Sequence, residues 1–263
     1  MRLLEVDGLG RRFGGVTALA GLSFAIAPGT VHAIIGPNGA GKTTLFNIVS
    51  GFYRPDFGQV RLDGVDVTGL APHLLARLGL ARTFQNLQLF LDMTAAENVM
   101  VGAHRLSDRR LGAALLRLPS LARGEAALAT RARALLAAVG LADAADRPAG
   151  ELPYGALKRL ELARALAAEP RLLLLDEPAA GLNERETAEM TARIRALPAR
   201  GVTVALVEHD MRLVMAASDR VLVLDHGRML AEGTPDEVRR DPAVVASYLG
   251  AGNRRERSRA ARD

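Results

Sequence analysis

The run Gly36-Pro37-Asn38-Gly39-Ala40-Gly41-Lys42-Thr43-Thr44 constrains this chain more than any other feature. It fits G-x-x-x-x-G-K-[ST], and its surroundings are those the pattern needs. Val31-His32-Ala33-Ile34-Ile35 before it reads as a buried strand, and a helical pattern from Thr43 to Ser50 follows. Glycines at these positions let successive backbone N–H groups converge on phosphate oxygens. The N-terminus of the following helix adds partial positive charge. Lys42 is then placed for the β- and γ-phosphates, and the Thr43 hydroxyl for Mg²⁺. The bland alternative is a glycine-rich turn followed by an incidental lysine. The flanking strand and helix argue against it, and Lys158 is the only other lysine in the chain.

A second constellation supports the first. Leu172-Leu173-Leu174-Leu175 is an apolar strand that ends in Asp176-Glu177-Pro178. A strand buried on both faces delivers its last residues to the carboxyl edge of a parallel sheet, where ligands bind in open α/β folds. Asp176 suits the second acidic partner of a phosphate loop, holding Mg²⁺ through its water shell. Glu177 suits the base that orients or deprotonates an attacking water. Without the glycine loop, the two acids would read as a polar strand end.

The remaining pattern is mixed. Leu3–Val6, Leu22–Ile26 and Val60–Leu62 read as strands separated by turns such as Pro28-Gly29. Residues 87–168 are helix-rich, with Leu128, Leu135, Leu136 and Val139 at helical spacing. Seven arginines face two acids between Arg105 and Arg133, read as a solvated helical face. Val202–Val207 and Val221–Leu224 are further buried strands, alternating with helices over Thr187–Leu197 and Asp210–Ala217. Such strands point to a parallel sheet covered on both faces.

Bulk properties narrow the setting. A chain of 263 residues, 49% hydrophobic, can bury a sizeable core. It has no cysteine, which removes disulfides and thiolate metal sites. Met1-Arg2-Leu3-Leu4-Glu5-Val6-Asp7 lacks the apolar run of a secretory signal. No stretch approaches the roughly 18 apolar residues of a membrane span. A soluble, unexported chain is the expectation. The net charge of +5 suggests nucleic acid, but five arginines against Glu256 and Asp263 put most of it between Gly252 and Asp263. That segment reads as a disordered basic tail, and nucleic acid is not expected as a partner.

With these residues in hand, the chain resembles the ABC ATPase family over nearly its full length. Phe13 stands where the family stacks an aromatic on adenine. Gln85, in Ala81-Arg82-Thr83-Phe84-Gln85-Asn86, matches the glutamine that senses Mg²⁺ and water and contacts the membrane subunit. His209, in Val207-Glu208-His209-Asp210-Met211, matches the histidine that binds the γ-phosphate. Gly181-Leu182-Asn183 matches the loop that crosses to the partner subunit, with Asn183 where many members have Asp. Leu152-Pro153-Tyr154-Gly155-Ala156 occupies the signature position, departing from Leu-Ser-Gly-Gly-Gln at Pro153 and Ala156 while keeping Gly155 for phosphate docking at a helix N-terminus.

The resemblance implies a RecA-like α/β P-loop core with an N-terminal antiparallel β region and an inserted α-helical subdomain. One nucleotide-binding domain would span 1–251, the helical part covering roughly 87–168, with the tail at 252–263. It further implies ATP and Mg²⁺ as ligands, a second ABC ATPase subunit, two transmembrane permease subunits and, indirectly, a substrate-binding protein. The location implied is peripheral, on the cytoplasmic face of the inner (plasma) membrane. The departed signature favours a heteromeric ATPase pair over a homodimer. The motifs Ala81-Arg82-Thr83-Phe84-Gln85-Asn86 and Asp176-Glu177-Pro178-Ala179-Ala180-Gly181-Leu182-Asn183, the insertion near 104–125, Glu208-His209-Asp210-Met211 and Tyr248-Leu249-Gly250 are similar to importers of branched-chain amino acids. Relatives that move urea or short amides are the nearest alternative. A soluble ABC ATPase of DNA repair or translation is a different class, but lacks here its usual coiled coil, zinc site or second cassette. A small-molecule kinase would leave Gln85, His209 and the signature region without a role.

Overall fold

The computed structural model describes residues 2–104 and 119–247. A six-stranded sheet forms the centre, built from β3 (Val31–Ile35), β6 (Leu80–Arg82), β7 (Leu172–Asp176), β8 (Thr203–Val207), β9 (Arg220–Asp225) and β10 (Arg228–Gly233). Its order is β10-β9-β3-β8-β7-β6; β10 runs antiparallel to β9 and the other pairings are parallel. A second, antiparallel sheet has the order β2-β1-β4-β5, from β1 (Leu4–Phe13), β2 (Val16–Ile26), β4 (Phe57–Leu62) and β5 (Val65–Asp66).

Strand β7 explains why the parallel strands are near-continuously apolar. Leu173 and Leu175 enter the core on the helical side, while Leu172 and Leu174 enter the core shared with the antiparallel sheet. Side chains alternate with period two along a strand, so two covered faces demand an apolar residue at every position. Burying each leucine contributes about 1.5–3 kcal/mol. Helix α1 (Lys42–Val49) lies in the second core, with Leu45, Phe46, Ile48 and Val49 packed among Leu4, Leu9, Ile26 and Val207. The helix that begins at Lys42 is therefore clamped between two sheets.

After the short helix α2 (Pro72–Arg77), the helical part comprises α3 (Ala95–Gly102), α4 (Pro119–Ala138) and α5 (Tyr154–Ala167). Leu136 and Val139 are buried there, with Leu128 and Leu135 packed against them at their edges. Thr94 caps α3 in a capping box with Glu97. The arginine-rich reading divides: Arg133 pairs with Asp146 at 2.6 Å and Arg131 with Glu169, whereas residues 105–118 lie outside the described residues. The expected basic tail and Tyr248-Leu249-Gly250 lie outside them as well.

The expected elements recur with shifted ends. Helix α6 (Glu184–Arg195) starts earlier than the apolar pattern suggests, because Asn183 and Glu186 close a capping box. Helix α7 (Met211–Ala217) is capped by the Asp210 carboxylate, which accepts from Arg212 and Leu213 N–H. Strands β6 and β10 are absent from the sequence reading. The first is only three residues long, and the second, Arg-Met-Leu-Ala-Glu-Gly, is half polar with an apolar run of only three residues. No helix among the described residues is long and apolar enough to cross a membrane.

Candidate functional site

Four neighbouring parallel strands end at the same edge of the sheet, and each passes into a segment singled out by the sequence. Strand β3 enters the glycine loop, β8 enters Glu208-His209, β7 ends in Asp176 followed by Glu177, and β6 leads to Thr83-Phe84-Gln85. The register holds them level: Asp176 pairs with Val207, Ile34 with Val207 and Arg82 with Leu174. Parallel strands with this order bring together residues more than 170 positions apart in sequence.

The glycine loop needs its glycines. Gly36 has φ 150°, and a Cβ there would come within 2.1 Å of the Leu224 carbonyl oxygen; Gly41 has φ 103°, and its Cβ would meet the Ala18 carbonyl oxygen at 2.5 Å. Lys42 Nζ donates to the carbonyls of Gly36 at 2.6 Å and Pro37 at 3.1 Å, which folds it over the loop. Burial pushes the Lys42 ammonium below the ordinary lysine range, an effect opposed by the negative field of Glu177 and Asp176. Pro37 is half-buried, Asn38, Gly39 and Thr43 are exposed, Thr44 is half-buried and Ala40 is buried in the core.

Glu177 lies at the middle of the site. Gln85 Nε2 donates to its Oε2 at 3.1 Å, and His209 Nδ1 stands 3.7 Å from its Oε1. Its backbone has φ 50°, the left-handed region that a residue with a Cβ adopts at a cost of about 1–2 kcal/mol. Glu177 N–H donates to the Val207 carbonyl at 2.9 Å, and Ala180 N–H closes the turn onto the Glu177 carbonyl at 3.1 Å. The structure thus brings Gln85, Glu177 and His209 together.

Asp176 is held differently. Arg82 Nη2 donates to Asp176 Oδ2 at 2.8 Å, and Arg82 Nη1 donates to Asn47 Oδ1 at 2.7 Å and Ser50 Oγ at 2.8 Å. The guanidinium also lies over the rings of Phe46, Phe52 and Phe84, with 5.1 Å to the Phe84 centroid. Sequence reasoning quoted Arg82 within a motif but gave it no role. No local signal marks it, because β6 is only three residues long and its partner Asp176 lies 94 positions further on.

Phe13 is exposed, and its ring meets Tyr53 edge-on at 5.4 Å, with the Arg11 guanidinium 4.8 Å from its centroid. Tyr53 is an aromatic neighbour that the sequence did not single out. Gly155 sits in the first turn of α5, and a Cβ there would lie 2.2 Å from Glu186 Oε1. A side chain at 155 would therefore displace the Glu186 carboxylate from its place against this turn. Ala156 is buried, and Pro153 caps α5 without any side-chain hydrogen bond. The Tyr154 ring packs toward Gly181, and buried Lys158 reaches the Glu177 carbonyl at 3.5 Å. The segment that carries Gln85 rests on α5: Phe84 N–H donates to Glu161 Oε1 at 3.4 Å, and Arg164 donates to the Gln88 carbonyl. Burial pushes the Glu161 carboxyl up to about 7, against the opposing pull of Lys158, Arg164 and the Phe84 and Gln88 N–H groups.

Comparison with known proteins agrees with this geometry. Residues 19–180 match the ABC transporter family, and residues 228–253 match a second family, the branched-chain amino acid ATP-binding cassette transporter. The high-affinity branched-chain amino acid transport ATP-binding protein BraF of Pseudomonas aeruginosa is 47% identical over 249 residues, covering 94% of this chain and 98% of that protein. The corresponding protein LivG of Escherichia coli is 44% identical with the same coverage. Among solved structures, an ATP-binding cassette of an ABC transporter in its ADP conformation superposes with a TM-score of 0.83 at 33% identity, covering 95% of this chain and 99% of that one.

Proposed function

The chain belongs to the ABC transporter family of ATP-binding proteins, and from that premise we propose that it hydrolyses ATP to drive an importer of branched-chain amino acids. The observation that carries the reading is the position of Glu177, hydrogen-bonded to Gln85 and facing His209 beside the glycine loop. The names of the 44–47% identical relatives support the cargo.

In this reading the N–H groups of residues 36–44 cradle the β- and γ-phosphates, with Lys42 supplying the compact positive charge. Phe13 stacks on adenine, steadied edge-on by Tyr53. The Thr43 hydroxyl, the Asp176 carboxylate and the Gln85 amide are hard oxygen donors of the kind Mg²⁺ takes when phosphates complete its shell. When bound there, Mg²⁺ supplies charge that offsets the phosphate oxygens. Glu177 accepts a proton from the attacking water, and His209 donates to the γ-phosphate as it leaves. Gln85, exposed and touching Glu177, relays the state of the site to a membrane subunit.

The working assembly is two ATPase subunits, two permease subunits and, through them, a substrate-binding protein, with this chain peripheral on the cytoplasmic face of the membrane. Domain boundaries at 1–251, with a helical subdomain of roughly 87–168, belong to the same reading. Each ATP is sandwiched between one subunit's phosphate loop and the other's signature loop around Gly155. Because Pro153 and Ala156 remove polar groups from that loop, the pairing favoured is with a second, related ATPase chain.

The test is to isolate the chain with the membrane proteins that copurify with it and to measure ATP-dependent uptake into vesicles. Leucine, isoleucine and valine are expected to be taken up and to compete with one another. Uptake of urea or acetamide in their place overturns the cargo, and copurification with nucleic-acid-processing proteins alone overturns the transporter reading.

A further inference from the structure

Strands β7 and β8 are hydrogen-bonded neighbours up to the pair Asp176 and Val207, and both chains then leave the sheet. One loop carries Glu177 and the other carries His209. The last backbone bond between them is Glu177 N–H to the Val207 carbonyl. Beyond it, the buried Glu208 side chain joins the two loops. Glu208 Oε1 accepts from Ala179 N–H at 2.9 Å, and Glu208 Oε2 accepts from His209 N–H at 2.9 Å and Asp210 N–H at 3.3 Å. The residue is 1% exposed, so this carboxylate is buried between the two loops.

From this arrangement we infer that Glu208 is a positioning residue for hydrolysis, fixing the loop after Glu177 against the loop that carries His209. Hydrogen bonds to a charged acceptor are roughly twice as strong as neutral ones, and burial removes competing water. Among the described residues, no lysine or arginine lies within ion-pair distance of this carboxylate, and the nearest basic side chain is the His209 imidazole, at 3.9 Å. Three backbone donors therefore do most of the work of holding the charge. Ala179 lies two residues past Glu177, whose own backbone is held in the left-handed region. Anchoring Ala179 stops that turn from relaxing. Anchoring the His209 amide fixes the other arm, and the two side chains face each other at 3.7 Å as a result. The carboxylate is the group suited to this position because both of its oxygens must accept. A glutamine would turn its NH₂ toward at least one N–H donor, whichever way it flips.

The inference rests on the roles proposed for Glu177 and His209. Its test compares the full-length chain, with its copurifying subunits, as wild type, Glu208→Gln and Glu208→Asp. In Glu208→Gln, kcat for ATP hydrolysis is expected to fall at least about tenfold while KM for ATP stays within about twofold, because the phosphate loop is untouched. The chain has five histidines, so the His209 imidazole resonance can be assigned by NMR against His209→Ala. It is expected to shift in Glu208→Gln, which a distant packing role would not produce. Should Glu208→Gln fail to bind nucleotide at all, Glu208→Asp decides. It keeps the charge but is one methylene too short to span both loops, and the same kcat loss at preserved KM is expected. Wild-type kcat in either folded variant, or an unmoved His209 resonance, overturns the inference. Absence of hydrolysis in the wild type would instead overturn the proposed ATPase reading.

Discussion

Arg82 and Asp176 meet at 2.8 Å with side chains only 6% and 8% exposed, so the acid at the end of β7 is held by a buried guanidinium from β6. Removing one partner of a buried pair strands the other charge, at a cost of about 3–5 kcal/mol. Arg82→Ala also loses the bonds to Asn47 and Ser50. At about 2–4 °C per kcal/mol for a chain of this size, a fall in melting temperature on the order of 6–20 °C is expected. Arg82→Lys keeps the charge without the fork and should recover only part of it. A thermal unfolding curve unchanged in Arg82→Ala would contradict this account.

Lys42 and Glu177 divide binding from turnover. Lys42→Ala removes the main positive charge from the phosphate loop and is expected to weaken ATP binding at least about tenfold, read by equilibrium titration. Glu177→Gln keeps the hydrogen-bonding shape but cannot take a proton. ATP affinity should persist while steady-state hydrolysis falls by about two orders of magnitude or more. Undiminished hydrolysis in Glu177→Gln removes the assignment of Glu177 as base.

Glu161 and His32 give stability opposite dependences on pH. Burial raises the Glu161 carboxyl from 4.5 to about 7, so the folded state holds a proton that the unfolded chain has released, and stability falls as pH rises from about 4.5 to 7. Burial, helped by the charge of Arg220, lowers His32 from 6.5 to about 4, so stability is lost as pH falls from about 6.5 toward 4. Between pH 7 and 5 each effect amounts to about 2 kcal/mol, and the two nearly cancel. Relative to wild type, Glu161→Gln should lose melting temperature on acidification and His32→Leu should gain it. The His32 Nε2 atom has no hydrogen-bond partner, so leucine sacrifices no bond there. Parallel pH profiles for all three proteins would rule this out.

Restoring a hydroxyl to the signature position tests the heteromeric reading. Pro153→Ser gives α5 the side-chain cap it lacks, worth about 0.5–2 kcal/mol, but releases the unfolded chain from proline's constraint by about 0.4–1 kcal/mol. Stability should therefore change by between about −0.5 and +1.6 kcal/mol, leaving turnover as the informative readout. A regained bond to a transition-state phosphate is expected to raise hydrolysis in the assembled transporter about tenfold. Ala156→Gln is a poorer test, because Ala156 is buried and a larger side chain would overpack the site. An unchanged rate in Pro153→Ser removes the argument for an asymmetric pair.

What the sequence determined by itself was local or periodic. The glycine loop between Ile35 and Thr44, the acid pair after Leu172–Leu175 and the helix over Asp210–Ala217 each depend on neighbours within a few residues, so the linear order exposes them. The unbroken apolar run of β7 likewise implies two covered faces. Short strand β6 and polar strand β10 escaped because tertiary pairing, rather than their own composition, makes them strands. Tertiary structure alone decided that Arg82 belongs to Asp176, that Tyr53 backs Phe13, that Glu186 rests against Gly155, and that Glu208 spans two loops. Arg82 and Asp176 are 94 positions apart, and Ala179 and Glu208 are 29 apart. No residue spacing encodes such contacts. They exist because parallel pairing brings the carboxyl ends of β6, β7 and β8 to one edge, where buried polar groups must find partners among whatever the chain has placed beside them.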